Sequence, residues 1–184
     1  MAGNDELAER FHARFGESAA AEESFGALTV DVPVAAWVDA LTFARDELGC
    51  AYFDWLTGVD QLDEGFDVVA HLYAIGQGHH LLLRTRVGRE QPRLPTATGV
   101  FRGAAWHERE TFEMFGVEFD GHPHLVPLLL PDGFEGHPLR KEFVLAARAA
   151  KPWPGAKEPG ESHDPKAPKR TTMRPPGVPA PGEW

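Results

Sequence analysis

Three runs rich in apolar and β-branched residues follow one another at 51–60, 66–75 and 80–87, joined through Asp63-Glu64-Gly65 and Gly76-Gln77-Gly78. Both joints are turn chemistry, and strands grouped this way, rather than alternating with helices, predict a compact α+β domain with a mixed or antiparallel sheet. In the third run Leu81 and Leu83 fall on one face, while Leu82, Arg84 and Arg86 fall on the other. One apolar and one partly polar face describe a sheet covered by helices on one side only.

The flanking segments supply those helices. Residues 4–15 repeat Leu7, Phe11 and Phe15 at helical spacing, with Asn4 or Asp5 to cap and Gly16 to end. Residues 17–24 are Ala/Glu-rich and ambiguous. Residues 25–32, with Thr29, Val30 and Val32, read as a strand. Pro33 then suits a helix start, and Val34, Trp37, Val38, Leu41 and Ala44 line one face of a helix that Gly49 closes. Residues 91–98, with Pro92 and Pro95, read as a loop. A helix is expected from about 103 to 115, capped by Gly116. Regular structure fades from Gly121 onward. The division is therefore a helix and linker at 1–24, the α+β domain at 25–145, and an extended Pro-rich basic arm at 146–184.

Charge separates the body from that arm. Before residue 137 stand nine arginines, no lysine and 23 acids; from 137 onward stand nine bases and five acids, with 10 of the 16 prolines. Such a segment cannot bury enough apolar surface to fold alone. In polyproline form at about 3.1 Å per residue, 151–184 would reach roughly 100 Å. Trp153 and Trp184 on a basic strand suggest anchors for pockets of another protein. The overall charge of −10 argues against nucleic acid. No stretch approaches the roughly 20 apolar residues of a membrane span, and the first residues lack a signal-peptide pattern. A place in the cytosol, or on that side of a membrane complex, is the expectation. The single cysteine, Cys50, excludes an internal disulfide and a four-thiolate cluster, and reads as a small buried residue.

The chemistry-bearing types concentrate in one segment: Trp106-His107-Glu108-Arg109-Glu110-Thr111-Phe112-Glu113-Met114-Phe115-Gly116, then Leu128-Leu129-Leu130-Pro131-Asp132-Gly133, then Gly136-His137-Pro138-Leu139-Arg140-Lys141-Glu142-Phe143. His107-Glu108 opens like a zinc motif, but Thr111 stands where the second histidine would be. His122 and His124 flank Pro123, and adjacent strand residues His79 and His80 point to opposite faces. Arg109 and Glu113, four apart, are placed for an ion pair. Trp106, Phe112 and Phe115 cannot all face one core from one helix, so the helix is expected to lie between its own domain and a neighbour. Gly76-Gln77-Gly78 opens no helix and is a weak nucleotide signal.

Glu108-Arg109-Glu110, Met114-Phe115-Gly116, Leu129-Leu130-Pro131-Asp132 and His137-Pro138-Leu139-Arg140-Lys141 resemble the signature of the C subunit (30 kDa subunit family) of proton-translocating NADH:quinone oxidoreductase, respiratory complex I. The likeness covers roughly 28–145 and is sharp from 106 to 143; it departs at Glu113, where the pattern has Asp. The resemblance implies a non-catalytic member of the hydrophilic arm. It would carry no cofactor of its own, since FMN and iron–sulfur clusters sit in other subunits. Its implied partners are the D-type subunit that forms the quinone cavity and the cluster-bearing B-type and I-type subunits. Glu108, Arg109, Glu110, Phe115, Gly116, His137, Pro138, Leu139, Arg140, Lys141 and Trp153 would then be contact residues. The rival readings are the homologous small subunit of a membrane-bound hydrogenase or formate-linked complex, a free metal hydrolase built on His107, Glu108, His122 and His124, and a binding module unconnected with respiration.

Overall fold

A computed structural model describes residues 3–144; Trp153, Trp184 and the arm from 146 lie outside the described residues. The chain runs α1 (Asn4–Phe15), β1 (Ala20–Ser24), β2 (Ala27–Asp31), α2 (Trp37–Asp46), β3 (Tyr52–Asp60), β4 (Phe66–Ala74), β5 (His79–Val87), β6 (Arg93–Pro95), α3 (Ala104–Phe115) and β7 (Glu118–Asp120). The large sheet has the order β1-β2-β5-β4-β3. It is mixed: β2 runs parallel to β5, and every other neighbouring pair is antiparallel.

Period-two alternation sets its two faces. Val68, Ala70 and Leu72 of β4 and Leu81 and Leu83 of β5 point inward to one core with Leu7 and Phe11 of α1, Trp37, Ala40 and Leu41 of α2, and Ala104 and Phe115 of α3. The opposite face holds half-buried Val69, His71, Tyr73 and Leu82. Arg84 bonds Asp31 there at 2.5 and 2.7 Å, and Arg86 bonds Asp67 at 2.6 and 3.0 Å. The α+β class, the one-sided helix cover and the three grouped strands match the expectation.

Four details differ. Residues 20–24 form a strand, although all five are exposed. No burial pattern marks them; pairing with β2 alone makes them extended. Phe25, expected inside the next strand, sits in the turn with Gly26. Asn4 and Asp5 do not cap α1: Gly3 occupies the cap, and the Asn4 amide instead donates to the Gly26 carbonyl at 3.3 Å. The loop at 91–98 contains β6, which pairs in parallel with β7 through Arg93↔Glu118, Leu94↔Phe119 and Pro95↔Asp120. Leu94 and Phe119 are buried, and Arg93 spans Glu118 at 2.9 Å and Asp120 at 3.0 Å.

Cys50 is buried 3.4 Å from His79 Nε2, and burial pushes its thiol up to about 11. A thiol so disfavoured as an anion is a packing residue. Helix α3 meets the sheet closely at Gly58, where an added Cβ would lie 2.8 Å from Cδ2 of Phe115. Phe115 is itself buried and edges Phe66 at 6.2 Å between centroids, so the ring has nowhere to retreat. Gly58→Ala is expected to cost about 2 kcal/mol by overpacking, read as a lower denaturation midpoint.

Candidate interaction site

The charged helix α3 is fastened on three sides by its own chain. Its inward acid is Glu108, with a relative exposure of 0%. The Ala97 N–H donates to Oε1 at 2.6 Å, and the Thr96 hydroxyl to Oε2 at 2.5 Å. His122 Nε2 lies 3.9 Å from Oε2; that nitrogen donates to the Ala105 carbonyl, and Nδ1 accepts the His124 N–H. Burial drives the Glu108 carboxyl up to about 7 against the two hydrogen bonds. Glu108 therefore organises the 96–98 loop from within.

Arg109 and Glu113 grip a second loop. Arg109 donates to the carbonyls of Val126 at 2.9 Å and Pro127 at 2.7 Å, with its guanidinium 5.4 Å from the centre of the Trp106 ring. Glu113 accepts the N–H groups of Leu128, Leu129 and Leu130 at 3.1, 2.7 and 2.9 Å. Base and acid, one helical turn apart, read five consecutive backbone units. The ion pair expected between them is not among the salt bridges of the described residues; each directs its hydrogen bonds to the loop instead. Burial raises the Glu113 carboxyl, but the amides of Leu129, Leu130 and Leu128, with Arg109 nearby, outweigh it and hold the group below its usual range.

The end of α3 is held by residues 137–141. A helix leaves its last carbonyls without partners, and basic side chains there also suit its dipole. The His137 Nδ1–H donates to the Glu113 carbonyl at 2.8 Å, the Leu139 N–H to Met114 at 3.2 Å, and Arg140 Nε to Phe115 at 2.7 Å. Gly116 follows at φ 74°, and a Cβ there would stand 2.5 Å from both His137 Nε2 and Arg140 Nη2. Lys141 N–H donates to Asp60 at 2.7 Å, and Asp60 also accepts Leu62 N–H at 2.8 Å and Arg89 at 2.9 Å. Burial raises the Asp60 carboxyl; Lys141, Arg89 and Leu62 outweigh it and hold it low.

The expected contact residues thus divide. Glu108 and Phe115 are buried in the domain, so neither has surface to offer. Arg109, Gly116, His137 and Arg140 are half-buried and committed to the ties above, and Lys141 is exposed but gives its N–H to Asp60. Glu110 and Pro138 are half-buried, and Leu139 is 52% exposed. Trp153 lies outside the described residues. Sequence reasoning missed Asp60 and the loop-holding part of Glu113. A lone acid at a strand end and an acid one turn from an arginine give no sign of which amides fold around them. The hydrolase set is not assembled: among the described residues no three His, Cys, Asp or Glu groups converge for a metal. His107 instead edges the Phe53 ring at 5.5 Å.

Three apolar side chains stay outward beside these ties. Trp106 is 62% exposed under the Arg109 guanidinium, Leu129 is 60% exposed with its N–H on Glu113, and Leu139 is tied to Met114.

The fold recurs in a chain of a respiratory membrane complex. A chain in the structure of the membrane-bound sulfane sulfur reductase, an archaeal respiratory membrane complex, superposes with a TM-score of 0.69 at 26% identity, over 78% of this chain and 86% of that one. A trypsin-resistant fragment (1–134) of Nqo5 gives 0.58 at 28%, over 66% and 98%. The chain belongs to the family of the respiratory-chain NADH dehydrogenase 30 kDa subunit, whose model matches residues 30–149. It is 44% identical over 126 residues to the C subunit of the NADH-quinone oxidoreductase of Caulobacter vibrioides, and 42% identical over 126 residues to that of Brucella ovis. Those matches cover 66% of this chain and span 64% and 62% of the two relatives.

Proposed function

We propose that this chain is a structural and assembly subunit in the peripheral arm of a proton-translocating NADH:quinone oxidoreductase. It works on the cytoplasmic face of the membrane, against the D-type subunit of the quinone cavity and the cluster-bearing B-type and I-type subunits. Electrons pass from NADH through FMN and iron–sulfur clusters held in other subunits of the complex to a quinone. This chain supplies position rather than reaction. No helix among the described residues is long and apolar enough to cross a membrane, which fits a peripheral place.

One observation carries the reading: Trp106, Leu129 and Leu139 stay exposed beside the charged motif, the Trp106 ring against the Arg109 guanidinium and the two leucines held by their backbone N–H groups. Apolar area left in water at these positions gains nothing inside the domain. A partner surface would bury that area, and anchors carried on a tied backbone lose less on binding. The relatives from Caulobacter and Brucella, both C subunits of an NADH-quinone oxidoreductase, support the identity of the complex. The likeness to the archaeal respiratory complex supports a second reading, the homologous small subunit of a membrane-bound hydrogenase or formate-linked complex.

Native membranes carrying a tagged chain separate these. Co-purification of NADH:quinone reductase activity supports the first reading, and hydrogen or formate oxidation the second. Recovery of the chain alone would defeat both. Leu129→Asp is expected to lower the complex-bound fraction several-fold while leaving the melting of the purified chain unchanged, since its side chain is largely in solvent. Normal incorporation of that variant would remove this face from the interface.

A further inference from the structure

The β1–β2 hairpin stands at the opposite edge of the sheet from β3, the strand that α3 packs on. Its turn is Phe25-Gly26, with φ of 52° and 79°. Two central residues in the left-handed region make a tight hairpin turn whose favoured sequences are Asn-Gly and Asp-Gly. Phe25 meets that requirement badly, because a bulky side chain crowds its own backbone there. The ring also gains nothing by burial: Phe25 is fully exposed. Two unfavourable features at one residue, in a turn the Asn4 amide fixes by bonding Gly26, call for a compensation outside this domain.

The strand beside the tip indicates its chemistry. All five residues of β1 are exposed, and they include Glu22 and Glu23. Arg84 commits both arms of its guanidinium to Asp31 and stays 3.9 Å from Glu22. We propose that this hairpin is a docking element: Phe25 enters an apolar pocket on a neighbouring protein subunit, and Lys or Arg on the pocket rim meets Glu22 on one face of the hairpin and Glu23 on the other. A second copy of the chain fits poorly, because full-length antiparallel pairing of β1 with itself is centred on Glu22 and sets that acid against its own copy. An anionic lipid surface repels the same two carboxylates. The inference rests on the reading of this chain as one member of a larger assembly.

The test compares the full-length chain with Phe25→Asn in native membranes, and the purified chains by thermal melting. Asparagine tolerates the left-handed turn, so the variant should melt a few degrees higher while its fraction in the large membrane complex falls several-fold. The pair Glu22→Lys and Glu23→Lys, with Phe25 intact, should lower incorporation similarly. Equal incorporation of Phe25→Asn beside a well-incorporated native chain overturns the hairpin inference alone. A native chain found in no large complex overturns the subunit reading and this inference with it. Co-sedimentation of the purified native chain with phosphatidylcholine vesicles, lost in Phe25→Asn, would give the ring to lipid and overturn the protein pocket.

Discussion

Glu113→Ala is expected to destabilise the domain by about 3 kcal/mol, lowering the melting temperature on the order of 10 °C. The variant strips one carboxylate from three amides, those of Leu128, Leu129 and Leu130. Charge-assisted hydrogen bonds of this kind are stronger than neutral ones, and half-buried donors left behind carry the desolvation penalty. Glu113→Gln keeps one acceptor oxygen and should fall between. The loss is local first. The His137 tie uses the Glu113 backbone carbonyl, which alanine retains. Amide exchange should therefore accelerate at 128–130 and stay slow at Leu139. Uniform acceleration, or an unchanged melt, would contradict the arrangement.

The second large effect is a pH dependence of unusual sign for a carboxylate. Burial lifts the folded-state Glu108 carboxyl to about 7, above its ordinary 4.5. A group raised on folding stabilises fully below its unfolded pKa and loses that contribution as pH climbs through the folded one. Between about pH 4.5 and 7 the domain should lose roughly 3 kcal/mol from this residue alone. Glu108→Gln imitates the protonated acid: its oxygen still accepts from Ala97, and its amide donates to Thr96. The variant should show a flatter profile from pH 5 to 8 and match or exceed the native chain at pH 8 in denaturant titrations. A native profile parallel to that of Glu108→Gln over this window would contradict the raised carboxyl. Asp60 and Glu113 act oppositely. Their carboxyls are held low, so what they contribute persists at neutral pH and disappears as acid titrates them.

The long apolar periods are readable in the sequence. Residues 52–60, 66–74 and 79–87 form β3, β4 and β5 almost as their alternation dictates, and Leu7 with Phe11 does place α1 against the core. The short strands are not readable. Residues 20–24 have no apolar alternation, and β6 and β7 are three residues each, held by Leu94 and Phe119 from distant parts of the chain. In the motif, spacing puts Glu108, Arg109 and Glu113 around one helix but says nothing of the loops that close over it. Direction is the missing information. Glu108 has the look of surface charge and is buried because the Ala97 amide and Thr96 hydroxyl come to it.

Strand order has one more consequence. Three strands separate β1 from β3, so the Phe25 hairpin and the flank carrying α3 stand about 19 Å apart across the sheet. A hydrogen-bonded sheet of this width does not stretch. If each flank holds a different neighbour, the domain acts as a gauge block, and the spacing between those neighbours is written into the number of strands between them.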